Sequence, residues 1–236
     1  MGEADGKVAL LAGGSGLAGS HLLTALLAAP DFVRVYAVTR RSLGREHARL
    51  ANRIVQFERL ESQLKGLACH TAFCCLGAPF RGAGRTEAAR KVDFEYVLAF
   101  ARAAKAAQAQ RFVFLSCVGA DCDARSAHLR AKSEAEEALE ALSFPSLDIL
   151  QPGLLFGLRR ETPISELARS LAMLVVTPLL FGPRESYRAI SARTVAAAML
   201  GAARSGRRGV YRYTYSSIRA LALSPTPRTL RRGATS

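Results

Sequence analysis

The stretch KVALLAGGSGLAG, residues Lys7–Gly19, decides the fold class of this chain. Its first part, Lys7–Ala12, is a short apolar run that ends in glycines, which is typical of a buried strand. After the glycines, the pattern over Leu17–Ala29 is helical and stops at Pro30. A glycine-rich turn lets the backbone approach a pyrophosphate, and the N-terminus of the following helix favours negative charge. The stretch therefore predicts a strand, a phosphate-binding loop and a helix; an ordinary strand-to-helix turn is the alternative.

Strands and helices alternate along the chain after this loop. Helical patterns cover Thr86–Gln108 and Ala127–Leu142, and we place the acids of the second helix, Glu136 among them, on its solvent face. Apolar strands that alternate with helices form a parallel sheet with both faces covered. We predict an α/β fold with a doubly wound, Rossmann-like parallel sheet of about seven strands. The strands predicted after the first are Val33–Val38, Arg53–Phe57, Thr71–Leu76, Arg111–Ser116, Ser146–Leu150 and Gly209–Thr214.

The domain organisation follows from length and pattern. A chain of 236 residues suits one domain with a full core. We predict a single domain over residues 1–225, with a small C-terminal helical cap built mainly from residues 154–205. The apolar part of that cap should line a substrate pocket. Residues 226–236 are predicted to be a basic tail.

Charge and cysteine content limit the partners and the compartment. The net charge is +14, and ten arginines but no acid follow Glu185. Such a surface attracts phosphates, so peripheral contact with an anionic membrane is one reading, and a soluble arginine-rich protein is the other. Nucleic-acid binding is not favoured, because aromatic residues do not alternate with the basic ones. The five cysteines form no CxxC pair, which predicts reduced thiols and no metal site. Together with the polar N-terminus, the reduced thiols predict a cytoplasmic protein.

The end of the second strand predicts which cofactor is bound. NAD-binding folds usually place an acid there for the ribose 2′-hydroxyl, whereas this chain has Thr39, Arg40 and Arg41. A guanidinium clamps a 2′-phosphate, so we expect NADP(H). A solvated arginine pair is the alternative.

Several segments should meet at one crevice, where the carboxyl ends of the parallel strands open. Ser116 closes the fifth strand, and the helix after it begins SAHLRAK, with His128 and Lys132 one turn apart on the same face. We place no other histidine in the site. Asp93, in the long helix, is either an anchor for water or for the backbone of the fifth strand, or a surface acid. The residues predicted to contact the cofactor are Gly13, Ser15, Gly16, Leu17, Gly19, Arg40, Arg41, Leu76, Gly77, Lys132 and Pro152.

The chain resembles a known family over most of residues 7–225. The stretches that carry the resemblance are LLAGGSGLAGSHLL, VYAVTRRSL, FCCLGAPFRGAG, KVDFEYVLAFARAAKAA, FVFLSCVGAD, HLRAKSEAEEAL and LDILQPGLLFGLRRE. Together they are similar to the atypical short-chain dehydrogenases, and within them to the Tat-interacting-protein-like group. The resemblance implies a Rossmann fold, NADP(H) in the glycine loop and a catalytic serine, tyrosine and lysine.

The chain departs from this family at two positions. Ser116 matches the serine and Lys132 the lysine, but His128 stands at the tyrosine, and Gln151 stands where relatives tend to have arginine before the Pro-Gly pair. The resemblance implies that the tyrosine exchanges the proton while hydride moves and that the lysine lowers the pKa of that tyrosine and binds the ribose. It also implies that the serine hydrogen-bonds the substrate carbonyl. A histidine is suited to the proton step, since its ordinary pKa is about 6.5. The Lys132 ammonium favours the neutral imidazole, which is a poor acid, and the imidazole is also shorter than a phenol.

Three functions are therefore open. The first is an NADP(H)-dependent oxidoreductase for a small carbonyl or alcohol substrate, in which Ser116, His128 and Lys132 are catalytic. The second is a catalytically impaired NADP(H)-binding sensor or scaffold with a protein partner. The third is a protein that binds anionic surfaces through its arginine-rich C-terminal part.

Overall fold

The computed structural model describes residues 6–78, 87–157 and 182–223. A π-helical turn, Lys91–Glu95, joins two of its helices, and 3-10 turns cover Phe57–Arg59 and Gly182–Tyr187. The strands are β1 (Lys7–Ala12), β2 (Phe32–Thr39), β3 (Leu50–Ile54), β4 (Thr71–Cys74), β5 (Arg111–Leu115), β6 (Ser146–Leu150), β7 (Leu155–Phe156), β8 (Ile190–Ser191) and β9 (Gly209–Tyr213). The helices are α1 (Leu17–Ala28), α2 (Leu60–Gln63), α3 (Glu87–Arg90), α4 (Tyr96–Ala106), α5 (Ala127–Ala141), α6 (Ala192–Arg204) and α7 (Tyr215–Leu223).

Seven of the strands form one parallel sheet in the order β3-β2-β1-β4-β5-β6-β9. The chain winds outward from β1 to one edge and then from β4 to the other. This order confirms the predicted doubly wound α/β fold. The switch in direction between β1 and β4 opens a crevice at the carboxyl ends of the strands, which is where ligands bind in such sheets.

Helices cover both faces of the sheet, as strands without a solvent face require. On one face α1, α6 and α7 pack together, with Leu22, Leu26 and Met199 fully buried. On the other face α4 and α5 cover the sheet. The ring centroids of Phe100 in α4 and Phe112 in β5 lie 5.9 Å apart. The two apolar layers hold the strand ends rigidly around the crevice.

Two predicted elements differ from the structure. The third strand begins at Leu50 rather than Arg53, because this edge strand is only partly buried and its apolar signal is weak. Phe57, predicted to end that strand, is buried and instead starts a 3-10 turn. The long helix predicted from Thr86 is described from Glu87 and contains the π turn before α4. Gln108, predicted to be its last residue, adopts a φ of 62°, so the helix stops before it.

Part of the predicted cap region lies within the main fold. Helix α6 packs against α1 in the layer that covers the sheet, and β7 pairs with β8 beside it. Residues 158–181 and the predicted tail, 226–236, lie outside the described residues. Among the residues that the structure does describe, no helix has the length and apolar character needed to cross a bilayer.

Candidate cofactor and active site

A cavity of about 620 Å³ opens at the carboxyl ends of β1, β4 and β5. Its wall is built by the segments that the sequence predicts to converge there. Gly19 and Arg41 are absent from this wall, which does include Cys117, Phe57 and Tyr96, three residues not predicted. The predicted site residues that line it are Gly13, Ser15, Gly16, Leu17, Arg40, Leu76, Gly77, Ser116, His128, Lys132 and Pro152.

The glycine loop has no room for a side chain at two positions, Gly13 and Gly19. Gly13 has a φ of +82°, and a Cβ there would lie 2.5 Å from the carbonyl oxygen of Cys75. A Cβ on Gly19 would lie 2.0 Å from the oxygen of Gly13, so Gly19 packs α1 against the loop instead of facing the cavity. The loop backbone and the first turn of α1 therefore form a cradle in which N–H groups face a ligand. Such a cradle fits a pyrophosphate.

The end of β2 presents a positive charge to the cavity. Arg40 and Arg41 are both exposed, but Arg40 lines the wall and Arg41 lies off it. Thr39 is buried, and its Oγ accepts a hydrogen bond of 2.7 Å from Nδ2 of Asn52. Among the described residues that line the cavity none is acidic. The wall therefore suits an anionic ligand, and Arg40 supplies positive charge at the end of β2.

Lys132 ties two strand ends together beneath the cavity. Its Nζ donates hydrogen bonds to the carbonyl oxygens of Leu76, at 2.9 Å, and Leu115, at 3.3 Å. The side chain is 3% exposed, and Nζ lies 4.7 Å from the ring centroid of Phe114. An ammonium has three N–H donors, so this arrangement fixes the group at the wall through two of them.

Ser116 is held by a buried carboxylate that the sequence does not place in the site. Its Oγ donates a hydrogen bond to Glu136, so the predicted solvent position of Glu136 is wrong. Glu136 also accepts from Nε2 of Gln151, at 2.9 and 3.0 Å, and from Nε of Arg212 at 3.3 Å. Gln151 therefore takes up a contact to the carboxylate that an arginine could also make. Glu136 lies one turn after Lys132 on the buried face of α5. This spacing on one helix face indicates that Glu136 belongs to the same site as Lys132.

His128 is paired with a second buried acid, Asp93. Nδ1 of His128 lies 3.0 Å from Oδ2 of Asp93, which is 1% exposed, and Oδ1 of Asp93 accepts from the amide of Ala78 at 2.9 Å. Burial opposes the ionisation of Asp93, but the hydrogen bond from His128 and the charge of Lys132 outweigh it. The pKa of Asp93 consequently lies below its ordinary value.

An ionised Asp93 determines which nitrogen of His128 carries a proton. A carboxylate only accepts hydrogen bonds, so Nδ1 must be the donor. Nε2 is then the nitrogen at the other end of the ring, and it lies 3.8 Å from Sγ of Cys117. The arrangement can hold a proton at Nε2 or take one there, next to the cavity.

Asp93 could have been found from the helical pattern. It falls in register with Val97, Phe100 and Ala104, which form the buried stripe of the following helix. An acid in an apolar stripe is expected to be paired. Its partner, 35 residues away along the chain, was not predictable from spacing.

Solved structures share this fold at low sequence identity. MoeE5 in complex with UDP-glucose and NAD is 20% identical, with a TM-score of 0.66 over 92% of this chain and 79% of that chain. The Bordetella bronchiseptica enzyme WbmH in complex with NAD+ is 17% identical, with a TM-score of 0.65 over 92% of this chain and 80% of the other. These likenesses show the fold.

Named relatives correct the expected location. "Protein fmp52, mitochondrial" of Emericella nidulans is 33% identical over 174 residues, which cover 70% of this chain and 74% of that protein. Further fungal relatives, from Aspergillus and Eremothecium species, also carry mitochondrial names. The prediction of a cytoplasmic location is contradicted by these names.

A further relative and a family model, together with the fungal relatives, establish the family of the chain. Protein HTATIP2 of Rattus norvegicus is 36% identical over 160 residues, 66% of each chain, so the match spans just under two thirds of the rat protein. The model of the NAD dependent epimerase/dehydratase family matches residues 9–141. The chain therefore belongs to the NAD-dependent epimerase/dehydratase family, as an NAD(P)-binding, oxidoreductase-like atypical short-chain dehydrogenase of the Tat-interacting-protein type.

Proposed function

We propose that the chain is an NADP(H)-dependent oxidoreductase that interconverts a small carbonyl compound and its alcohol. The observation that carries the proposal is the Asp93–His128 pair at the cavity, which leaves Nε2 of His128 as the proton-exchanging atom. The glycine cradle and Arg40 support the cofactor assignment, since one suits a pyrophosphate and the other a 2′-phosphate.

Each site residue has a separate role in the proposed reaction. A nicotinamide nucleotide, held by the glycine loop and Arg40, would supply or accept the hydride when bound. His128 gives a proton from Nε2 to the substrate oxygen during reduction and takes it back during oxidation. Asp93 holds the imidazole in the required tautomer and stabilises its charged form. Lys132, anchored through Leu76 and Leu115, offers its remaining N–H to a ribose hydroxyl.

Ser116 has a narrower role than the family resemblance implies. Its hydroxyl hydrogen is directed at Glu136, so toward the cavity it offers lone pairs. It therefore accepts a hydrogen bond from an alcohol substrate and does not donate one to a carbonyl while that contact holds. Carbonyl polarisation falls to His128.

The test is turnover with a panel of aldehydes, ketones and secondary alcohols, followed by nicotinamide absorbance. We expect at least one compound to be converted, and His128→Gln to lower kcat by about 10²- to 10⁴-fold, the usual contribution of a general acid or base. The control is Cys122→Ser, at an exposed position outside the cavity wall. Tight NADPH binding with no turnover on any compound would overturn the oxidoreductase assignment.

The contact between Ser116 and Glu136 favours a second candidate, an NADP(H)-binding sensor or scaffold without turnover. His128→Tyr separates the two. A gain of reductase activity on restoring the family's phenol indicates a binding protein derived from an enzyme. A loss of activity indicates that the histidine is the working group.

We further propose a mitochondrial location, on the names of the fungal relatives. The arginine-rich C-terminal part has less unpaired positive charge to offer an anionic surface, because several of its arginines pair internally. Arg204 contacts Asp31, and Arg212 contacts Glu136 and Glu140. Organelle fractionation of cells that express the tagged chain tests the location.

A further inference from the structure

Cys117 ends a chain of three polar groups at the cavity. It follows Ser116 at the carboxyl end of β5, lines the cavity and is half-buried. Its Sγ lies 3.8 Å from Nε2 of His128, and Nδ1 of the same ring lies 3.0 Å from Oδ2 of Asp93. Thiol, imidazole and carboxylate thus stand in the order of a nucleophile, its base and the group that orients the base.

This environment differs from that of the other cysteines. Burial raises the pKa of Cys69 to about 12 and of Cys74 to about 11, and it also raises the pKa of Cys75. Cys122 is exposed, but the neighbouring carboxylate of Asp123 raises its pKa. Cys117 combines access from the cavity with a base in hydrogen-bond range. A thiolate is the reactive form of cysteine, and a neighbouring histidine favours it.

The wall beside Cys117 suits an uncharged, largely apolar electrophile. Leu154 and Leu155 give the wall beside Pro152 an apolar surface, and no described lining residue is acidic. Conjugate addition to an α,β-unsaturated carbonyl needs a base for the thiol proton and then an acid for the α-carbon. One imidazole performs both tasks in turn. Such compounds belong to the carbonyl class of the proposed function, yet the addition itself requires no nucleotide.

We propose that Cys117 is a nucleophile, activated by His128 and Asp93, that adds to α,β-unsaturated carbonyl compounds in the cavity. The S–H proton passes to Nε2 of His128, and the sulfur forms a bond to the β-carbon. The π electrons of the C=C bond move to give the enolate, and Nε2–H returns the proton to the α-carbon. The product is a thioether, with no oxidant or reductant consumed.

The experiment uses N-ethylmaleimide, an α,β-unsaturated imide, on the full chain without nucleotide at pH 7. Peptide mass spectrometry follows the alkylation of each cysteine over time. Cys122 is the internal reference, because it is more exposed and its neighbouring charged groups are carboxylates and not an imidazole. We expect Cys117 to react about tenfold faster than Cys122, and His128→Gln to bring its rate down to that of Cys122 or below.

Two further variants complete the test. Asp93→Asn should slow Cys117 and leave the rate at Cys122 unchanged, and Cys122→Ser should leave the rate at Cys117 unchanged. Alkylation of buried Cys69 or Cys74 would reveal an unfolded variant, and the wild-type ratio then decides alone. Reaction of Cys122 as fast as or faster than Cys117 in the wild-type protein overturns the proposal. Because no nucleotide is present, this outcome would leave the oxidoreductase proposal untouched.

Discussion

Oδ2 of Asp93 lies 3.0 Å from Nδ1 of His128, and this contact joins the π turn before α4 to the first turn of α5. Each oxygen atom of Asp93 has a partner, because Oδ1 accepts a hydrogen bond from the amide of Ala78. The pair therefore fixes both the orientation of the imidazole and the nitrogen that bears its proton. The acid–base role of His128 depends on this relationship.

Replacing Asp93 with Asn should reverse the tautomer of His128. The amide of Ala78 needs the oxygen of the new side chain, so its NH₂ group would face Nδ1 of His128. Nδ1 then becomes an acceptor, and the proton of the neutral ring moves to Nε2. We expect kcat to fall by about tenfold or more and the pH profile of the reaction to shift.

Steady-state kinetics over pH 5 to about 9 measures this effect. Asp121→Asn is the control, since Asp121 is exposed and lies outside the cavity wall. An Asp93→Asn enzyme with the wild-type kcat and pH profile would show that the contact does not orient His128.

Acid should remove the stabilisation that Asp93 contributes. Its folded pKa lies below the unfolded value of 3.8, because the contacts to His128 and Lys132 outweigh desolvation. The stabilisation is therefore complete above about pH 5 and is lost as the pH falls through the folded pKa. Urea unfolding from pH 7 to about pH 2 should give a smaller slope of unfolding free energy against pH for Asp93→Asn than for wild type. Equal slopes would contradict the lowered pKa.

Substitutions at two glycines with nearly the same φ distinguish the cost of a left-handed backbone from the cost of a steric clash. Gly13 and Gly66 have φ values of +82° and +84°, but only a Cβ on Gly13 would meet backbone, at 2.5 Å. Gly66→Ala should lower the free energy of unfolding by about 1–2 kcal/mol, the cost of a left-handed conformation. Gly13→Ala should cost more and should also abolish nucleotide binding. Thermal unfolding with and without NADPH measures both, and equal effects of the two substitutions would refute the close approach.

The carboxylate of Glu136 should stabilise the fold around Ser116. An amide there places an NH₂ group among the donors of Ser116, Gln151 and Arg212. We expect Glu136→Gln to lower the free energy of unfolding by about 1–3 kcal/mol. Glu137→Gln, at the exposed neighbouring position, is the matched control and should change it by less than about 0.5 kcal/mol. Similar values for the two variants in urea unfolding would contradict the role of Glu136.

Local pattern predicted the fold because each step had a clear physical signal. The apolar run before Gly13 and the helical pattern after it identified β1 and α1, and alternation along the chain identified the parallel sheet. The apolar pattern did not predict the bounds of β3 correctly, because an edge strand has little apolar surface to bury. It also failed at the π turn, which depends on the packing of the helix and not on its composition.

The site was predicted where it depends on strand ends and was missed where it depends on buried acids. Ser116 was placed by the rule that strand ends share one edge, and His128 and Lys132 by their one-turn spacing on the helix that follows; all three line the cavity. Glu136 was placed on the solvent face and Asp93 was left open between an anchor and a surface acid, because acids on helices usually face solvent. Their partners come from other segments, so only the three-dimensional structure brings each pair together.

The most direct test of the central proposal is a titration of the protein with NADPH and with NADH, followed by nicotinamide fluorescence. We predict that NADPH binds tighter and that Arg40→Ala removes the difference, about 10- to 100-fold for a lost charged contact to phosphate. Arg41→Ala, at the neighbouring position off the cavity wall, should keep it. Equal binding of the two nucleotides by the wild-type protein, or binding of neither, would contradict the account.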